Sequence, residues 1–201
     1  DASKDQSYAL WGLTQESLGK TMFPLADLTK PEARALGEKY GLPNMKKAES
    51  YEICFIPDNN YERFLKERRP TLESEVGGGE ILMDGEVVGH HRGFPFYTIG
   101  QRRSLGVFRP EPLYVTGIDQ AHNRIEVGSE DKLYKRVLLA RNVNMQKYPD
   151  CRAPLRVDAK IRYKDGGGAA TIRELADGRV EVIFDEKRRA ITPGQSVVFY
   201  E

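Results

Sequence analysis

From Pro70 onward the chain is broken at short intervals by turn signals, and this punctuation limits the possible folds more than any other feature of the sequence. Gly77-Gly78-Gly79 forms a loop. Asp84-Gly85 stands between Ile81-Leu82-Met83 and Val87-Val88, and Asn123 separates residues 114–118 from 124–128. Asp177-Gly178 separates Ala169 to Leu175 from Arg179 to Phe184. Asp-Gly between apolar runs predicts a hairpin, because both central residues of the favoured turn need positive φ. Residues 156–163, Arg156 through Tyr163, alternate polar and apolar, the period of a half-buried strand. Tyr97-Thr98-Ile99, Leu113-Tyr114-Val115 and Ser196 to Tyr200 add further strands. Several short strands joined by tight turns favour a small barrel or sandwich in the last third.

The first fifty residues have a different texture. Thr29-Lys30-Pro31-Glu32 predicts a helix start: Thr29 caps, Glu32 closes a capping box and Pro31 suits the first turn. Ala33, Leu36 and Tyr40 share a face, and Gly41 ends the helix. Thr14 to about Lys20 is a weaker helix, and Asn59 to about Arg68 a third, with Tyr61, Phe64 and Leu65 on its apolar side. Residues 53–56 read as a short buried strand.

Charge excludes one class of function. The net charge of +1 offers no whole-chain polycation for nucleic acid, so any RNA site must be a local patch. Two cysteines, Cys54 and Cys151, make neither a disulfide framework nor a metal knuckle, and they fit a reducing cytoplasm. No apolar run approaches the roughly 18 residues of a membrane helix. The chain opens on Asp1 inside a polar turn, which suggests a piece of a longer protein.

Four local features invite a chemical reading. Gly19-Lys20-Thr21 resembles the end of a phosphate-binding loop, but the loop also needs a glycine at position 14, where Thr14 stands. His90-His91 and His122 are the only histidines. Adjacent strand residues face opposite ways and chelate one ion poorly, so no metal is expected. Basic residues cluster at Lys66, Arg68 and Arg69, at Arg102, Arg103 and Arg109, and at Lys187, Arg188 and Arg189. Such runs are usually solvated faces. The stretch from Tyr97 to Arg103, with Gln101 and Arg102 between, also mixes an aromatic, an amide and cations in the way that binds phosphates and unpaired bases. Cys54, in Ile53-Cys54-Phe55-Ile56, is on residue type alone either a small buried hydrophobe, the commoner case, or a working thiol.

Several blocks in order carry a resemblance: Lys4-Asp5-Gln6-Ser7-Tyr8, Phe23-Pro24-Leu25, Leu28-Thr29-Lys30-Pro31, Glu52-Ile53-Cys54-Phe55-Ile56 and Tyr97-Thr98-Ile99-Gly100-Gln101-Arg102. Ala159-Lys160-Ile161-Arg162-Tyr163, Phe184-Asp185-Glu186 and residues 192–200, Thr192 to Tyr200, follow. Together they resemble the later part of the tRNA-specific 2-thiouridylases, through nearly the whole chain.

The resemblance implies an α+β, mostly β chain. Residues 1–57 would be the helical end of a PP-loop α/β catalytic domain, 58–130 a small central domain, and 134–201 a C-terminal six-stranded-type β-barrel. It implies a cytoplasmic sulfurtransferase that modifies the wobble uridine of tRNAs for Lys, Glu and Gln. ATP, with Mg, would be a co-substrate held by a preceding Ser-Gly-Gly-Val-Asp-Ser region, with none expected in this stretch. A sulfur-relay protein or cysteine desulfurase would be a partner. Cys54 matches the persulfide carrier, and a preceding cysteine would form a disulfide with it during turnover. Lys4, Asp5, Gln6, Arg162, Tyr163 and Gln195 match tRNA-contacting positions, with Gln101, Arg102 and Arg103 as weaker candidates.

The departures have consequences. The phosphate-binding motif, the first cysteine and a final glycine-rich strand after Tyr200 are absent, so this stretch alone is expected to be inactive. Cys151 is read as non-catalytic, and Ser104 stands where the family often has glycine. Two competing readings remain: a non-catalytic RNA-binding module and a protein-interaction barrel.

Overall fold

A computed structural model describes residues 5–43, 55–56, 58–148 and 150–201. Helices come first. After a 3-10 turn at Ser7–Gly12, α1 (Gln15–Lys20) is capped by the Thr14 side chain, which accepts from the Ser17 amide. The capping box predicted for α2 (Lys30–Lys39) is present, with Thr29 and Glu32 bonding reciprocally across the first turn. Gly41 beyond its end has φ 65°. Ala33 and Leu36 are half-buried, whereas Tyr40 is exposed and outside the helical face predicted for it. The third helix, α3 (Tyr61–Arg68), is capped by Asn60, and the short α4 (Leu72–Val76) buries Leu72. Of the strand predicted at 53–56, residues 53 and 54 lie outside the described residues. Phe55 and Ile56 are not in a strand.

Two sheets follow. The first orders β2 (Glu86–His91), β1 (Gly79–Met83), β4 (Arg124–Gly128) and β3 (Tyr114–Asp119). Its β1–β2 hairpin turns at Asp84 and Gly85, with φ 53° and 86°, the positive pair that Asp-Gly predicts. Strands β1 and β4 pair in parallel, and Asn123 turns from β3 into β4 with φ 52°. Ile81, Val115 and Ile125 are fully buried at the centre of this layer, with Tyr97 and Leu105 packed among them.

The strand predicted at Tyr97-Thr98-Ile99 is not formed. A 3-10 turn at Phe94–Phe96 closes through the Tyr97 amide on the Phe94 carbonyl. The Gln101 side chain then takes the Thr98 amide at 3.1 Å, and Gly100 turns the chain with φ 86°. A side chain that offers the backbone a local acceptor has displaced the ladder.

The second sheet orders β5 (Tyr134–Ala140), β8 (Val180–Arg189), β7 (Ala169–Glu174), β6 (Leu155–Lys160) and β9 (Val198–Tyr200), antiparallel throughout. Its inner face buries Phe184, Val182, Ile172, Ala170 and Ala159. A fully buried phenylalanine such as Phe184 contributes about 2–3 kcal/mol. The ladder between β5 and β8 shifts between Lys135 and Val137. There the Arg136 guanidinium donates to the Phe184 and Asp185 carbonyls, at 3.1 and 2.7 Å, so the bulge leaves neither unsatisfied. Where the resemblance expects a six-stranded type, five strands are formed among the described residues. They leave β5 and β9 as edges beside a groove of about 1170 Å3 that Leu138, Val157 and Phe199 help to line.

Candidate nucleic-acid interface

The sequence-predicted residues come from five parts of the chain, and the fold brings three of these, around residues 5–6, 162–163 and 195, together through contacts of Ser7 and Tyr8. Asp5 is exposed, and both its carboxylate oxygens are occupied by Ser7. One accepts from the amide at 2.8 Å and the other lies 2.9 Å from the hydroxyl. These bonds, the amide first, hold the carboxyl below its usual range. Asp5 therefore shapes the turn that leaves Gln6 exposed.

The next two side chains fasten this segment to the barrel. The Ser7 hydroxyl is 3.3 Å from that of Tyr200, and Tyr8 Oη donates to the Ser196 carbonyl at 2.7 Å. Burial, with Tyr200 and Asp165 nearby, pushes the Tyr8 phenol up, so it stays a donor.

Tyr8 also meets Tyr163 edge-on, with ring centroids 6.1 Å apart. Strand β6 ends at Lys160, so Arg162 and Tyr163 lie in the turn beyond it rather than on the strand where the alternation placed them. Asp165 causes the break. Its side chain accepts from the Ile161 amide at 3.1 Å, and its own amide donates to the Arg162 carbonyl at 3.0 Å. Arg188 pairs with the other carboxylate oxygen of Asp165 in a largely buried contact. Tyr163 is left half exposed, and Arg162 reaches the Arg189 carbonyl with one nitrogen at 3.3 Å. Gln195 is exposed in the next turn, which Gly194 makes with φ 86°. Lys160 lies over the Tyr200 ring at 5.0 Å, within electrostatic reach of Asp5. Gln6, Arg162, Tyr163 and Gln195 thus surround a frame of Tyr8 and Tyr200. Cations, amides and aromatic faces together can engage phosphates and stack or edge-bond unpaired bases.

Lys4 and Cys54, the carrier candidate, lie outside the described residues. Beside Cys54, Ile56 is buried, while the exposed Phe55 ring meets Phe64 of α3 at 5.5 Å. The other cysteine, Cys151, is 2% exposed inside the second core. Burial first, then the Glu174 and Asp150 carboxylates, push its thiol up, which makes it a poor nucleophile.

Gln101 is engaged within its own loop, with its amide nitrogen on the Arg103 carbonyl at 2.9 Å, while Arg102 and Arg103 are exposed. Gly19 and Lys20 belong to α1, with Lys20 paired to Glu16 at 2.6 Å, so the Gly-Lys-Thr stretch forms no phosphate cradle. His90 and His91 face opposite sides of β2, His91 buried. Among the described residues no three His, Cys, Asp or Glu side chains are placed to hold a metal, and no helix is long and apolar enough to cross a membrane.

Sequence reading missed the residues that hold the N-terminal segment in place. Asn144 Nδ2 donates to the Trp11 and Leu13 carbonyls, both at 2.8 Å. Gln146 Nε2 donates to those of Leu10 and Leu13, at 2.9 and 3.0 Å. Nothing local in the sequence signals bonds across more than 130 positions.

Three family descriptions match in succession: a tRNA methyl transferase HUP domain over residues 1–58, a tRNA methyl transferase PRC-barrel domain over 62–129, and an aminomethyltransferase beta-barrel domain over 135–201. The protein named tRNA-specific 2-thiouridylase MnmA from Chlorobium phaeobacteroides (strain BS1) is 48% identical over all of this chain and 56% of its own length. The proteins of that name from Salinibacter ruber and Cytophaga hutchinsonii are 50% and 48% identical, over all of this chain and 53% and 55% of theirs. The chain spans about half the length of the curated relatives it matches. With matched domains running through both sheets and relatives near half identity from end to end, the chain belongs to the tRNA-specific 2-thiouridylase family.

Proposed function

We propose that this chain forms the tRNA-holding part of a cytoplasmic enzyme that replaces the C2 oxygen of the wobble uridine with sulfur, in tRNAs for Lys, Glu and Gln. The observation that carries the proposal is the gathering of Gln6, Arg162, Tyr163 and Gln195 around Tyr8, whose hydroxyl and ring tie three chain segments together. Arg162 would neutralise phosphate, Tyr163 would stack or donate a hydrogen bond, and Gln6 and Gln195 would bond to base edges or ribose. Lys4 would add a second phosphate contact, and Asp5 would set the shape of its segment.

Cys54 would carry the sulfur as a persulfide delivered by a relay protein or desulfurase. ATP would activate the uridine oxygen as a leaving group. The described residues supply no phosphate cradle, so no side chain here is assigned to that step. The terminal persulfide sulfur would attack C2 and expel the activated oxygen. Attack by a second cysteine on Cys54 Sγ would break the S–S bond, leave the sulfur on the uridine and pair the two cysteines. By domain, residues 1–57 would close the catalytic unit, 58–130 form the central one and 134–201 the barrel.

The test uses the full-length protein. Cys54→Ser should abolish thiolation and leave tRNA affinity within about three-fold, well under the ten-fold that 1.4 kcal/mol represents. Arg162→Glu should weaken affinity and flatten its salt dependence. Thiolation retained in the first variant removes the persulfide role. Unchanged affinity and salt slope in the second remove the barrel contact. Binding with no thiolation in the wild type would favour the non-catalytic RNA module.

A further inference from the structure

Most arginines on the strands and helices are compensated: Arg63 by Asp58 at 2.8 Å, Arg124 by Glu80 at 2.7 Å, Arg156 by Asp185 at 2.7 Å. The loop from Gln101 to Leu113 is different. Arg102, Arg103 and Arg109 are all exposed, and none has a carboxylate partner among the described residues. Glu111 is the loop's one acidic residue. Between them stands Phe108, 96% exposed.

Loop slack does not explain that exposure. Gly100 donates to the Val115 carbonyl at 2.8 Å and Val115 to that of Gln101 at 2.9 Å, which stitches the start of the loop to β3. Gln101 braces the turn from inside. Ser104 and Gly106 turn it with φ 59° and 76°, dropping Leu105 into the first core at 4% exposure. Val107 packs so close to Gly89 that a Cβ there would lie 3.3 Å from it. On the return limb the chain bends at Pro110 and Glu111, and Leu113 packs against the first core. The chain on both sides of Phe108 is anchored, and the ring is held out in water.

The loop is also continuous with the interface described above. A Cβ on Gly100 would lie 3.2 Å from Ala190 and 3.7 Å from the Arg189 guanidinium, and Arg189 is the residue whose carbonyl Arg162 bonds.

We propose that this loop is a second RNA contact, in which the Phe108 ring stacks on an unpaired base while Arg102, Arg103 and Arg109 hold the flanking phosphates. The proposal rests on the tRNA-binding reading and extends it to residues outside the Arg162 cluster. An aromatic face between uncompensated cations is what a single-stranded segment recognises, because every base has a π face and every linkage a charge.

The experiment measures affinity of the full-length protein for two RNA probes of equal length, an anticodon stem-loop with unpaired bases and a fully paired hairpin. Phe108→Ala should weaken stem-loop binding about ten-fold and leave the paired probe unchanged, and Phe108→Trp should restore the stem-loop affinity. Arg102→Ala with Arg103→Ala and Arg109→Ala should weaken both probes and reduce the salt slope by about 0.7 for each phosphate no longer neutralised. The proposal fails if Phe108→Ala binds the stem-loop at wild-type affinity, or weakens both probes equally. It also fails if the variant loses only its complex with a protein sulfur donor. Should Arg162→Glu lose binding while the loop variants keep it, the loop is wrong and the tRNA reading stands. If neither set matters, both fall.

Discussion

His91 is the buried one of the three histidines, at 2% exposure, and its two ring nitrogens have different tasks. The Gly93 amide donates to Nδ1 at 3.0 Å, so the proton sits on Nε2, which donates to the Asn123 carbonyl at 3.1 Å. Burial is the largest influence and pushes the imidazole below its ordinary 6.5. Above 6.5 folded and unfolded chains are both neutral at this site and its contribution is whole. As pH falls below 6.5 the unfolded chain takes the proton first, and stability is lost until the folded value is passed. Thermal unfolding between about pH 8 and 5 should show a fall in Tm on the acid side, and His91→Gln, less stable at neutral pH, should show a shallower one; equal slopes would remove His91 as the cause. The sequence made one part of this legible: adjacent strand histidines face opposite ways and form no metal pair. Which of the two is buried depends on β1 and the Asn123 turn packing over it. The same limit applies to Tyr8, whose partners Ser196 and Tyr163 lie more than 150 residues away.

At the level of elements, local chemistry was legible wherever it decided the outcome by itself. The α2 capping box and the Asp84-Gly85 hairpin formed as their residues predict, and the Asp177-Gly178 hairpin formed through a three-residue loop in which only the glycine has positive φ. Two failures share one cause. At Tyr97-Thr98-Ile99 and at Ile161-Arg162-Tyr163 the alternation predicts a strand, and a polar side chain a few residues on, Gln101 or Asp165, takes the backbone amide instead. Ser104, where the family often has glycine, turns with φ 59° and keeps the left-handed conformation that glycine adopts most easily. Asp165 matters most for the proposed site, because it both breaks β6 and holds Arg188 in a pairing where its own side chain is only 7% exposed. Asp165→Ala would leave Arg188 largely buried without a partner and the Ile161 amide without an acceptor. It should cost about 3 kcal/mol in denaturant unfolding, and tRNA affinity should drop in the population that stays folded. Asp165→Asn retains one acceptor for Ile161 and should lose less. A loss below about 0.5 kcal/mol for the alanine variant, within the range of ordinary surface substitutions, would mean the turn is held by something else.

Across the whole molecule, the question is how a segment near residue 7 comes to serve a barrel built from residues 134–200. The 3-10 turn at Ser7–Gly12 has no fully buried side chain, so hydrophobic packing alone does not hold it. Beside the Ser7 and Tyr8 contacts at its start, two amides hold its later half, each using both of its N–H bonds: Asn144 on Trp11 and Leu13, Gln146 on Leu10 and Leu13. Both sit in residues 141–148, outside any strand, so removing them should spare the barrel core of Phe184, Val182 and Ile172. Asn144→Ala with Gln146→Ala should therefore uncouple position from stability. Amide hydrogen exchange should rise in residues 7–13, while protection in β7 and β8 stays at its wild-type level. Affinity for tRNA should fall several-fold, because Gln6 and the Tyr8–Tyr163 pair lose their fixed place beside Arg162. Each neutral hydrogen bond is worth about 1 kcal/mol, and each donor in this clamp can be replaced by water, so the loss should be well short of the four-bond sum. If exchange rises in residues 7–13 and tRNA affinity is unchanged, the N-terminal segment is a passenger and the interface reduces to the turns of the barrel. If exchange rises throughout the second sheet, the clamp is part of the fold rather than a device for placing Gln6 and Tyr8.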